Sequence, residues 1–281
     1  MEHFSIDAYT PAQIAERVEK VCISKSTSDP LRALALSVLA GAFIAFGALF
    51  FTLVTHDVSD LNPGLARLIG GLVFSLGLVL VVIAGAELFT GNNLLVMACV
   101  DGKIGLGQLL RNWAIVYCGN FVGAIGVALL VWLSGHWLIG DGAVGARAVQ
   151  IALAKLQLEP LQAVVSGLLC NVLVCLAVWM CFAGHSVTDK ILAILLPISA
   201  FVALGFEHSV ANMYFVPAGM LAASEPAVLL ALGGGDTAAL GLGELGIGNF
   251  LLANLLPVTL GNMLGGGGLV AAVYWFIYLR D

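Results

Sequence analysis

Among the five histidines, His3, His56, His136 and His185 fall in termini or polar connections, whereas His208 lies inside a long apolar stretch beside Glu207. An ionisable group in such surroundings either handles protons or ligands, or is a histidine satisfied by neighbouring helices. Thr90 sits in a similar interruption, where its hydroxyl either reaches a ligand or bonds a helical carbonyl. Glu87 and Glu207 occupy related surroundings, and a shared structural task fits them better than proton transport: a carboxylate pinning loop backbone through N–H bonds. Lys25 and Lys155 precede two different apolar stretches, and one cation near each end of a pathway would draw anions from both sides. No catalytic residue, metal ligand or cofactor is expected. The sequence has no CxxC, HExxH or GxSxG pattern, and its six cysteines read as small apolar packing residues. A single histidine in apolar surroundings also leaves bis-histidine haem ligation one ligand short.

These residues are carried by a chain of 281 residues that is 60% hydrophobic and 10% charged, with a mean hydropathy of +1.05. Several windows of about 20 residues hold one charge or none, enough to cross a hydrocarbon layer of about 30 Å. The composition excludes a soluble enzyme, and a net charge of −6 with no basic patch excludes nucleic-acid binding. The first 30 residues are too charged for a cleavable leader. Apolar stretches at about 33–54, 66–98, 110–133, 161–182, 191–222 and 248–279 predict six spans, and the Gly- and Ala-rich 223–247 reads as a connection. The windows 66–98 and 191–222 are too long for one crossing. Each carries an acid with Gly or Asn near its middle, so each reads as a helix broken inside the membrane. With both termini inside, Arg17, Lys20, Lys25, Arg32, Lys103, Arg111, Lys190 and Arg280 are cytoplasmic, against Arg67, Arg147 and Lys155 outside. A Thr-Pro start at Thr10 and Pro11 predicts an amphipathic helix over 10–22 with Ile14, Val18, Val21 and Cys22 on one face, serving as an anchor or as a gate.

The two halves match each other. Lys25-x3-Asp29-Pro30-Leu31 is echoed by Lys155-x3-Glu159-Pro160-Leu161, and Gly85-x-Glu87-x4-Asn92 by Gly205-x-Glu207-x4-Asn212. Leu109-Leu110-x-Asn112-x6-Gly119-Asn120-x2-Gly123 is echoed by Leu251-Leu252-x-Asn254-x6-Gly261-Asn262-x2-Gly265. Three spans per half is an odd number, so the copies are expected to be inverted, with both broken helices meeting at the bilayer midplane beside a pathway. The expected organisation is an N-terminal segment over 1–30, a first repeat over 31–134, an extracytoplasmic loop over 135–160 and a second repeat over 161–279. Glu87, Asn92, Glu207 and Asn212 are the structural residues of the breaks.

Four segments resemble the formate/nitrite transporter family: Glu87-Leu88-Phe89-Thr90-Gly91, Asn171 to Trp179 (NVLVCLAVW), Gly205 to Met213 (GFEHSVANM) and Pro257 to Asn262 (PVTLGN). The likeness covers essentially the whole chain. It implies an aquaporin-like protomer in a homopentamer of the bacterial-type cytoplasmic membrane, each subunit with its own pore for small weak-acid anions. It also implies pore roles for Thr90, His208 and Asn262, with Asn171 beside them, and constrictions at Phe74, Leu78, Phe89, Val174 and Phe201. The first break looks like the nitrite branch; Met213 to Pro217 and Tyr278-Leu279-Arg280 look like the formate branch. A bare carboxylate in an apolar throat faces a large desolvation cost, so neutralisation by a proton from His208 or nearby water is expected. Formate is the expected substrate, with nitrite as the alternative, then acetate, lactate or hydrosulfide; an integral-membrane enzyme is the alternative from another class.

Overall fold

Proline opens several of the long helices, because the first helical position needs no N–H and a fixed φ suits it. The computed structural model describes residues 7–234 and 240–280; residues 1–6 with His3, residues 235–239 of the 223–247 connection, and Asp281 lie outside the described residues. Helix α1 (Pro11–Ser26) starts at a capping box in which Gln13 N–H donates to Thr10 Oγ1 and Thr10 N–H to Gln13 Oε1. It buries Ile14, Ala15, Val18 and Cys22, while Val21 turns outward, against expectation. Asp29 caps α2 (Pro30–Val54), and Asn62 caps α3 (Pro63–Ala84), which has one turn residue, Ser75, within it. Then follow α4 (Gly91–Val100), α5 (Leu106–Leu133), α6 (Ala143–Leu156), α7 (Pro160–Cys181), α8 (Val187–Leu204), α9 (Ser209–Ala222), the short α10 (Pro226–Ala231) and α11 (Asn249–Tyr278). Of these, α2, α3, α5, α7, α8 and α11 are long and apolar enough to cross a membrane.

The stretches 66–98 and 191–222 are each two helices. Both first helices stop at a glycine in the left-handed region, Gly85 (φ 81°) after α3 and Gly205 (φ 76°) after α8, a conformation that side chains with a Cβ disfavour. The segment 135–160, expected as a loop, contains α6, whose buried face includes Val144, Ala148, Val149 and Ala152 and packs on α9. This helix carries Lys155 in its last turn as α1 carries Lys25, so the element order α1 to α5 recurs as α6 to α9 and α11.

The closest helix packing also recurs. Gly119 and Gly123 let α5 press against α2, and Gly261 and Gly265 let α11 press against α7. With Gly at i and i+4 the backbones approach without intervening side chains. A Cβ on Gly123 would collide with the Val38 carbonyl, whereas one on Gly126, in the same helix, meets nothing within 4 Å. Gly123→Ala is therefore expected to destabilise by about 1–3 kcal/mol or more, with Gly126→Ala close to neutral. Thermal unfolding in detergent compares them, and equal melting temperatures would remove the packing argument.

Candidate functional site

Between Gly85 and Gly91, and again between Gly205 and Ser209, the chain leaves the helical conformation, so backbone groups need other partners. The two halves supply them alike. Asn120 on α5 accepts from Phe89 N–H (2.9 Å) and donates to Ser37 O (2.8 Å) and Glu87 O (2.9 Å). Asn262 on α11 accepts from Ser209 N–H (2.9 Å) and donates to Gly167 O (2.7 Å) and Glu207 O (3.0 Å). Glu87 N–H is bound by Leu36 O, and Glu207 N–H by Ser166 Oγ.

The carboxylates are arranged in the same duplicate way. Lys25 Nζ donates to Glu87 Oε2 at 3.0 Å, and Lys155 Nζ to Glu207 Oε1 at 2.9 Å. Asn92 donates to Glu87 and to Asn112 Oδ1, and Asn112 donates back to the Lys25 carbonyl. Asn212 donates to Glu207 and to Asn254 Oδ1, and Asn254 donates back to the Lys155 carbonyl. Each lysine thus has a carboxylate partner instead of standing as a bare cation. Asn112, Asn120 and Asn254 are buried members of these networks that sequence reasoning did not assign to the site, although the repeat already aligned Asn112 with Asn254 and Asn120 with Asn262.

Two cavities flank this scaffold. The first, about 430 Å³, is lined by Lys25, Leu78, Glu87, Leu88 and Asn92, with Arg32 and Lys190 also on its wall. The second, about 360 Å³, is lined by Phe74, Lys155, Phe201, Glu207 and His208, together with Arg67 and Arg147. Phe74 and Leu78 belong to one helix face four residues apart, so the cavities are separated along α3 by about one helical turn, roughly 6 Å. Phe74 packs edge-on against Phe201, with ring centroids 5.7 Å apart, and the Phe201 ring stacks on His208 at 5.8 Å.

At this wall His208, which lines the second cavity, meets Thr90, which is buried and lines neither, with His208 Nε2 and Thr90 Oγ1 2.9 Å apart. His208 is also the N-cap of α9, its Nδ1 accepting Ala211 N–H at 3.0 Å. Because Nδ1 accepts, the neutral ring carries its proton on Nε2 and donates to Thr90. Asn171 lies just behind, donating to the carbonyls of Thr90 and Asn262 and to Asn93 Oδ1. Asn262 is occupied wholly by backbone, that of the second break and Gly167 O on α7, and it lines neither cavity. Phe89 lines neither cavity as well: its ring packs on Tyr117 (4.9 Å) and Trp113 (6.0 Å), away from the wall. Val174 is buried and also lines neither.

Residues 12–276 match the model of the formate/nitrite transporter family. The formate channel FocA of Escherichia coli strain K12 is 42% identical over 98% of this chain and 96% of its own. The chain belongs to the formate/nitrite transporter family. FocA of Haemophilus influenzae is 40% identical over 92% of this chain and 91% of its own length. Among solved structures, a pentameric formate channel with formate bound matches with a TM-score of 0.83 at 42% identity, over 89% of this chain and 98% of that one. An ion channel of the same family matches with a TM-score of 0.77 at 32% identity, over 94% and 98%. This member of the formate/nitrite transporter family is accordingly a multi-pass membrane transport protein and not an enzyme.

Proposed function

We propose that this protein conducts formate across the cytoplasmic membrane as one subunit of a homopentamer, with a separate pore in each subunit. The observation that carries this reading is a break in the repeat. Lysine, glutamate and asparagine recur at matching places, but the position of His208 is held by Leu88 in the first half and that of Thr90 by Val210 in the second. What holds the fold is duplicated; the polar pair between the cavities occurs once. The reading is further supported by the sequence likeness to formate channels and by the structural likeness to a pentameric formate channel with formate bound.

In this proposal the halves are inverted, the two breaks lie at the midplane, and the first cavity faces the cytoplasm with both termini. The eight-to-three division of basic residues supports that orientation, and a reporter fused after Asp281 should give a cytoplasmic signal. Leu78 from one side and Phe74 with Phe201 from the other form the constriction. Lys25, with one ammonium donor beyond those given to Glu87 and Asn92, and Lys155, with two beyond that given to Glu207, meet the anion at close range. Thr90, aligned by His208 Nε2–H, has its own hydroxyl proton to offer the carboxylate. A proton accompanies formate at low pH. For His208 to deliver it, the ring must first take a second proton at Nδ1 and release Ala211 N–H. The anion arriving beside the ring stabilises that cation.

The test is uptake into liposomes holding the purified protein, with formate, nitrite, lactate and hydrosulfide compared at pH 5.5 and 7.5. Formate is expected to be fastest, and more so at the lower pH; nitrite outrunning formate at both would move the assignment to the nitrite branch.

A further inference from the structure

The second cavity contains a cation that the first lacks: in the register that pairs Lys25 with Lys155, Arg147 falls opposite Arg17, which stacks over Tyr9 and does not line the first cavity. Arg147 is half-buried on the face of α6 that also carries Gln150, Ala154 and Lys155 into the cavity wall. Its Nε donates to Thr55 Oγ1 at 3.3 Å, and Thr55 is the C-cap of α2, so the guanidinium is held where that span ends. Arg147 lies eight residues before Lys155, about 12 Å along the helix, which separates it from the polar pair at the wall. Lys155 is neutralised by Glu207, whereas among the described residues no carboxylate pairs with Arg147. Burial alone acts on its ionisation, lowering its pKa from the ordinary guanidinium value, and an arginine stays charged regardless. Arg147 lines the second cavity with Nε held by Thr55, and its two terminal nitrogens have no hydrogen-bond partner among the described residues. Two parallel N–H donors on that edge match a carboxylate or oxyanion.

We propose that Arg147, oriented by Thr55, is an anion-docking site at the mouth of the second cavity, and that it supplies the attraction on that side in place of the neutralised Lys155. Its ligand class is the small carboxylate or oxyanion. The inference rests on reading the chain as an anion channel. Arg67, also on the cavity wall and without an ion-pair partner among the described residues, adds to the same field from an exposed position.

The test is zero-trans formate uptake with the second cavity facing the substrate, sidedness being read with an impermeant maleimide at an introduced Asp60→Cys. At low ionic strength Arg147→Gln should raise the half-saturating formate concentration about three- to tenfold with the maximal rate unchanged, and the difference should vanish near 0.5 M salt. Arg147→Lys should restore most of it by keeping the charge. Sulfate on that side should compete in the wild type and much less in Arg147→Gln. Unchanged half-saturation in Arg147→Gln overturns the proposal, as does a fall in maximal rate that Arg147→Lys does not relieve, which marks a structural role. If the wild type carries nitrite and not formate, the formate reading fails and the same comparison with nitrite still decides the role of Arg147.

Discussion

Replacing His208 with asparagine is expected to leave a folded, assembled protein that takes up a proton with formate far more slowly. Asparagine is a strong N-cap residue, and its Oδ1 can accept Ala211 N–H as His208 Nδ1 does. The start of α9 is thereby preserved. What disappears is the ring N–H that aligns Thr90 and an imidazole able to take and release a second proton. Leaving the buried Thr90 hydroxyl without this partner costs about 1–3 kcal/mol, which corresponds to a roughly five- to hundredfold lower rate of proton-coupled uptake. Any remaining flux should be electrogenic anion leak. A pH-sensitive dye inside proteoliposomes, read beside a voltage dye after formate is added, separates the two, with protein-free liposomes subtracted for formic acid crossing lipid directly. If the variant acidifies the lumen at the wild-type rate, water delivers the proton and His208 is a positioning contact.

Glu207→Ala should be the most destabilising substitution at the breaks, and clearly worse than Glu87→Ala. The Lys155–Glu207 side chains are 14% and 6% exposed, against 28% and 15% for Lys25–Glu87. Removing Glu207 strands the Lys155 ammonium and takes an acceptor from Asn212, in surroundings where water gives little help. Breaking a buried pair by deleting one partner costs about 3–5 kcal/mol. The more exposed pair is better screened, so its loss costs less. Melting temperatures of the detergent-solubilised protein rank the two variants. Adding Lys155→Met to Glu207→Ala should recover part of the loss, since no uncompensated charge remains. A double variant as unstable as Glu207→Ala would show that the stranded ammonium is not the cause.

Much of the architecture was legible because hydrophobic runs and glycine act locally. Apolar windows located the six spans, since a span must be continuous in sequence to be continuous in lipid. Gly85 and Gly205 marked the ends of two helices because left-handed backbone demands that residue. The matching Lys, Glu, Asn and Gly positions exposed the duplication before any coordinates. The same matching could have revealed α6, because Lys155 repeats Lys25 and Lys25 ends a helix; the glycines at and just before its start and its length below a span concealed it.

Tertiary structure alone decided which of these residues meet. Lys25 lies 62 positions from Glu87, and Lys155 lies 52 from Glu207, so no periodicity records that each cation is already paired. His208 and Thr90 are 118 positions apart and come together only because α9 and α4 start at facing breaks. Phe89 turned away from the cavities because its backbone is tied to Asn120 and its ring to Tyr117, both on α5. Arg147 entered the second cavity through the packing of α6 on α9, which no local pattern encodes. Sequence thus determined the membrane class, the spans, the breaks and the duplication, all set by short-range backbone and solvation preferences. Which charges are neutralised and which polar groups face the cavities was settled by helix packing, where contacts join residues far apart in the chain.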